Sequence, residues 1–294
     1  MKKLFTLTFL AVALCLGSCS RFHNAPTDAK DARYVVISPI YNEIIWALGA
    51  QDQVVGIDLS TTYPPEVKKV QTVGYHRALS AEGILSLHPT TIIHDNNIGP
   101  PQVVQQIQQL NIPMKSFSAK NDSFDGTKAL IREMGAYFHK EARAEELCNT
   151  LDNQRAASLE KVKQYTDHPR VAVIHFGRAS NVYLVVGKGS GGDGGGVSKM
   201  IELAGGEMAV TSDRMQRMES PEIIAQANPQ VILLTDFGYD RLGSLDQIKT
   251  LPGVATSEAA KNNHIYRIEE NVLNYFGPRS GENIEKVGAI IHQK

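Results

Sequence analysis

This chain of 294 residues has little cysteine, a single tryptophan and no excess of either charge. Cys15 and Cys19 fall near the N-terminus, which leaves Cys148 alone in the body of the chain and excludes a disulfide framework there. Thirty basic residues face 31 acidic ones, for a formal net charge of -1, so there is no basic field for nucleic acid and any anion recognition must be local. Long apolar runs are also missing. The one that stands out, Leu4 to Leu16 behind Lys2 and Lys3, is too short to cross a bilayer comfortably and reads as a signal-peptide core. Gly-x-Ser-x-Gly, His-Glu-x-x-His and Cys-x-x-Cys do not occur, and no enzyme activity is expected.

The length favours about two domains. Leu16-Gly17-Ser18-Cys19 looks like a bacterial lipobox, so residues 1–19 are expected to be a lipoprotein signal with Cys19 as the lipidated residue. Polar residues 20–33 read as a tether. Ser20 is not the Asp that commonly signals inner-membrane retention, which leaves both membranes open. From Tyr34 onward short apolar runs alternate with helical patterns: Tyr34-Val35-Val36-Ile37, then a helix opened by Ser38-Pro39 and stopped at Gly49, and similar units onward. That alternation predicts α/β packing with mostly parallel sheets. Residues 125–165 are rich in helix formers and predict two successive helices, the second starting at about Glu141. After Pro169 the α/β pattern restarts with Val171-Ala172-Val173-Ile174-His175. The expected organisation is an N-terminal lobe over 34–140, a linking helix over 141–166 and a C-terminal lobe over 167–294, with a ligand cleft between the lobes.

Within the first lobe, Tyr75, His76 and Arg77 stand side by side before an amphipathic stretch. A phenol binds metal poorly while protonated, with an ordinary pKa of about 10. A hard ferric ion and a neighbouring guanidinium both favour the phenolate. Tyr75 beside Arg77 therefore suits ferric haem, with an oxygen ligand for iron and a cation for a propionate. The run Gly74-Tyr75-His76-Arg77-Ala78-Leu79-Ser80-Ala81-Glu82-Gly83 also resembles the Gly-Tyr-x-Arg-x-Leu-Ser-x-Glu-Gly loop of periplasmic haem-binding proteins that feed ABC importers. That resemblance covers nearly everything after residue 33. It implies the helix-linked, two-lobed fold of haem, cobalamin and ferric-siderophore carriers, with haem as iron-ligated cargo and no other metal.

The resemblance also implies partners for Tyr75. His175, at the end of an apolar strand where an open sheet meets a crevice, takes the place of a second axial ligand. Arg279, in Gly277-Pro278-Arg279, is expected with Arg77 at the phenolate or a propionate, and Arg178 and Lys188 are weaker propionate candidates. His76, where the family pattern has an apolar residue, competes with Tyr75 for the metal, and the choice between them stays open. His94 closes another strand and is expected to border the cleft, and Tyr275 and Phe276 are expected to stack on a flat macrocycle. The glycine-rich stretch 187–196 lacks the Lys-Ser/Thr ending of a phosphate loop and reads as a cleft-edge loop.

Glu82 and Glu222 share a context: each lies just after a serine, in a helix's first turn, ahead of two apolar residues and a later His-Pro or Asn-Pro. The resemblance assigns them to docking on the membrane permease of the importer. The expected protein is thus a haem carrier held to the membrane by lipid. The alternatives are a cobalamin or ferric-siderophore carrier and, in a different class, a secreted hydrolase.

Overall fold

The computed structural model describes residues 32–178, 181–185, 195–211, 217–219 and 221–293. Strand β1 (Tyr34–Ile37) is followed directly by helix α1 (Pro39–Leu48). Ser38 Oγ accepts from the Tyr41 N–H, and Pro39 fills the first turn, where its missing N–H costs nothing. Gly49 ends the helix in the left-handed region, φ 71°, which glycine enters without penalty. Strands β2 (Val54–Ile57) and β3 (Gln71–Thr72), helix α2 (Ala81–Leu85), strand β4 (Thr91–His94), helix α3 (Pro101–Gln109) and strand β5 (Met114–Lys115) complete the first unit. Its sheet is parallel throughout, in the order β3-β2-β1-β4-β5. The order reverses between β1 and β4, so a crevice opens beyond the carboxyl ends of those two strands.

Helices α4 (Phe124–Tyr137) and α5 (Glu141–Val162) come next, the latter about 33 Å long at 1.5 Å per residue. The second sheet unit contains β6 (Arg170–Arg178), β7 (Asn181–Val185), α6 (Gly195–Leu203), β8 (Glu207–Met208), β9 (Arg217–Glu219), α7 (Pro221–Ala227) and β10 (Val231–Thr235). It continues with α8 (Asp236–Leu242), α9 (Leu245–Lys249), α10 (Glu258–Lys261), β11 (Ile265–Ile268), α11 (Glu270–Asn274) and α12 (Ser280–Ile291). Here the order is β11-β10-β6-β7-β9, with β8 beside the start of β6. β10 runs parallel to both its neighbours, whereas β7 is antiparallel to β6 and to β9. The second sheet is therefore mixed. β6 does not end at His175 but continues as the first arm of a hairpin.

The central strands of both sheets are buried on both faces. In β1, Val36 points to a central core while Val35 and Ile37 point to an outer one; in β6, Val171 and Val173 point inward and Ala172 and Ile174 outward. The central core is continuous: it joins Ile40 and Ile44 of α1, Leu147 and Leu151 of α5 and Ile284 and Val287 of α12 to the inner faces of both sheets. α12 lies close along α5, since a Cβ on Gly281 would sit 2.7 Å from the Leu151 carbonyl oxygen. The C-terminal half of the linking helix is packed against a second helix that is not apparent in the sequence pattern.

Candidate functional site

The Tyr75 loop leaves β3 through Gly74, whose φ of 97° suits glycine. Backbone bonds hold the loop on both sides: Leu59 N donates to Gly74 O, Gly99 N to His76 O and Leu79 N to Gly99 O. On this frame the Tyr75 side chain faces outward, 45% exposed, and its ring centroid lies 4.3 Å from that of His76. His76 turns inward. Its Nδ1 is 3.1 Å from Ser60 Oγ and 3.6 Å from Asp58 Oδ2, and its Nε2 is 3.4 Å from Asn97 Nδ2. Arg77 Nε donates to Asn97 Oδ1, which orients that amide with its NH₂ toward His76. His76 Nε2 must then accept, so the proton sits on Nδ1, facing Ser60 and Asp58. Asp58 is fully buried and also accepts from Ser60 N and Thr61 Oγ1, while Thr61 Oγ1 accepts from Asn42 of α1. Both nitrogens of His76 are engaged in this network, whereas the Tyr75 ring stands exposed beside it.

The second wall is built around β6. Ile174 pairs with Leu184 and Phe176 with Tyr183, so His175 is the extra residue of a β-bulge. Bulges re-aim side chains and bend the strand that carries them. Thr235 Oγ1 donates to the His175 carbonyl, and Gly238 of α8 lies against it. The imidazole stacks on Phe237, with centroids 5.6 Å apart and planes 18° apart, and its Nδ1 is 3.2 Å from Glu270 Oε1. Phe176 stacks on Tyr183, and the Arg241 guanidinium lies 5.3 Å from the Phe176 centroid and 5.9 Å from that of Phe237. Phe237 is 52% exposed. Phe237, Arg241 and Glu270 are additions to the residues expected from sequence. The available signal was their place just after the buried runs Val231–Thr235 and Ile265–Ile268, where strands empty into the crevice.

The remaining expected residues divide sharply. His94 ends β4 at the switch point, paired in register with Ile37, and its Nδ1 accepts from Asn96 N. Burial pushes its pKa below the ordinary histidine value, against the pull of Asp95. Tyr275 is half-buried, but Phe276 is only 1% exposed and packs edge-on against Phe124. Phe276 is a core residue, not a cleft wall, because its ring is taken up by the central core, while the Thr127 hydroxyl donates to its carbonyl. Arg279 is also committed elsewhere. It makes a two-pronged pair with Glu43, both bonds 3.0 Å, with Glu269 at 3.7 Å and the Tyr63 ring centroid 3.4 Å away. Burial opposes its charge, but the Glu43 hydrogen bonds outweigh this and raise its pKa. In this structure Arg279 thus forms an ion pair between α1 and the segment before α12. Arg178 ends β6, but its side chain lies outside the described residues, as do Cys19, Lys188 and the glycine-rich stretch up to Gly194.

The two walls are joined by direct contacts. Asn271, next to Glu270, donates to Thr62, which adjoins the Asp58–Thr61 turn that holds His76. Glu82 and Glu222 are both exposed in the first turns of α2 and α7. Each helix is followed at the same spacing by a positive-φ residue and a proline, His88-Pro89 (φ 47°) and Asn228-Pro229 (φ 41°), and then by β4 or β10. No helix among the described residues is long and apolar enough to cross a membrane.

Two α/β units, a helix linking them and ligand-accepting side chains at strand carboxyl ends together define a two-lobed binding protein. The chain belongs to the periplasmic binding protein family, which it matches over residues 35–272. Among solved structures it is similar to the periplasmic heme-binding protein RhuT from Roseiflexus sp. RS-1 in apo form, with 31% identity and a TM-score of 0.79 over 89% of this chain and 98% of that one. Among curated proteins it is 23% identical to the uncharacterized ABC transporter substrate-binding lipoprotein YvrC of Bacillus subtilis, over 90% of this chain and 82% of YvrC. It is 24% identical to the high-affinity heme uptake system protein IsdE of Staphylococcus aureus, over 90% and 89%.

Proposed function

We propose that this protein is the haem-binding component of an ABC importer, with ferric haem held between the two walls and Tyr75 as the principal iron ligand. The observation that carries the reading is the division of labour at Tyr75 and His76: the imidazole is tied inward by Ser60, Asp58 and Asn97, and the phenol stands exposed. Haem brings four ligands of its own, so one or two protein ligands complete the iron. His175 is the second axial ligand in this reading, Arg77 and Arg241 balance phenolate and propionate charge, and His94, Tyr275 and Phe237 line the cleft. The resemblance to RhuT and IsdE supports the cargo.

Glu82 and Glu222 dock the two lobes on the permease, a role supported by their matched exposure and spacing. Cys19 carries the lipid that holds the protein on the periplasmic side of a membrane. Hemin titration followed by absorption tests the cargo. A ferric tyrosinate-type spectrum in wild type that disappears in Tyr75→Phe is expected. Unchanged free-hemin absorbance with wild-type protein, together with binding of a corrin or ferric siderophore, would reassign the cargo within the same fold. Intact mass of membrane-extracted protein, compared with Cys19→Ala, tests the anchor.

A further inference from the structure

We propose that Glu270 is a positioning residue for His175: its carboxylate holds the Nδ1–H tautomer of the imidazole and so leaves the Nε2 lone pair facing the cleft for iron. The inference rests on the haem reading above and adds a residue to it. Four observations bring the carboxylate and the ring together. His175 is the extra residue of the β6 bulge, so its side chain is aimed by a local break in the ladder and not by the strand's alternation. Its Nδ1 is buried and makes an ion-pair contact of 3.2 Å with Glu270 Oε1, at an angle short of a hydrogen bond, so the carboxylate charge favours the proton on that nitrogen; the side chain as a whole keeps 19% exposure, which must come from atoms other than Nδ1. Phe237 covers one face of the ring at an 18° angle, which limits its rotation. Glu270 is itself held in place, since its Oε1 accepts from Asn274 Nδ2 at 2.6 Å and its backbone N donates to Asp236 Oδ1.

A carboxylate on the far nitrogen of a metal-binding imidazole fixes both tautomer and ring orientation and makes the near nitrogen a better donor. His94 shows the contrast within the same molecule. Its Nδ1 is an acceptor from Asn96 N, so its proton sits on Nε2 and the ring offers the cleft no lone pair at that atom. Of the two histidines, His94 at the end of β4 and His175 at the bulge of β6, His175 alone has a carboxylate beside Nδ1.

The test has two arms. In haem-free protein, ¹⁵N shifts of the His175 ring report the tautomer directly: protonated Nδ1 and unprotonated Nε2 are expected in wild type, with loss of that preference in Glu270→Ala. In the ferric haem complex, electron paramagnetic resonance reads the coordination. Wild type is expected to be six-coordinate and largely low-spin. Glu270→Ala should move toward the five-coordinate, high-spin signal of His175→Ala and bind hemin roughly 10-fold more weakly, the low end of outer-shell effects. Glu270→Gln, which keeps an acceptor and the bond to Asn274, should recover part of the low-spin signal. It also keeps the proposal testable if Glu270→Ala folds poorly. An unchanged tautomer in Glu270→Ala overturns the proposal whatever the cargo, as does a complex of Glu270→Ala spectrally identical to wild type. Absence of hemin binding by wild type sinks the haem reading, while the tautomer arm still decides the Glu270–His175 relation.

Discussion

The two walls of the cleft hold their key side chains by opposite means. Tyr75 sits on a loop and is steadied by a polar network drawn from one stretch of chain, Asn42 through Thr61, Asp58, Ser60 and His76 to Asn97 and Arg77. His175 sits within a sheet, so its backbone is rigid already, and only the ring is adjusted, by Phe237 and Glu270 from distant parts of the chain. A loop residue needs an underlying layer to hold its backbone; a strand residue needs a bulge to aim it. The sheets match this difference: the first is parallel and ends in loops, while the second is mixed and carries β6 through the site as a hairpin.

The comparison can be broken most severely where the walls meet. Arg279→Ala leaves Glu43 buried without its counter-charge and is expected to cost about 3–5 kcal/mol of stability in chemical denaturation. If haem affinity falls while stability holds, Arg279 acts on cargo and not between the lobes. Tyr75→Phe should next weaken hemin binding about 100-fold, or ~2.7 kcal/mol, with no change in melting temperature. His76→Ala should do the reverse: it strips a partner from Asp58 and costs ~1–3 kcal/mol of stability, yet the tyrosinate signature persists. Loss of that signature in His76→Ala with retention in Tyr75→Phe would exchange the two assignments.

A smaller effect belongs to His94. Its folded pKa lies below the ordinary value of 6.5, so the unfolded chain binds more protons as pH falls past that value. Stability should be level above about pH 6.5 and decline below it toward the lower folded pKa. In His94→Gln this part of the acid limb should flatten, as read by urea midpoints across pH. Glu82→Ala with Glu222→Ala should leave hemin titration unaltered and lower uptake by the assembled importer. An equal loss of hemin binding would move these residues from docking to the site.

Much of this architecture is legible along the chain because it follows from local physics. Ser38-Pro39 and Gly49 bracket α1, the run after Pro169 is β6, and breaker-free residues after Glu141 form α5. α12 escapes such a reading because Gly281 and Gly288 lower its helix propensity, and the reason for Gly281 is the nearness of α5. β7 escapes it because a short apolar run carries no mark of strand direction.

The order of residues alone accounts for the alternating elements, the linking helix and the choice of Tyr75, His175 and the paired glutamates as residues of interest, since period, caps and motifs act over a few positions. Which ring faces the cleft, where Phe276 goes and what Arg279 binds are set by contacts between residues as far as 236 positions apart. A buried charge or ring takes the partner that the assembled fold brings to it, and local sequence does not specify that partner.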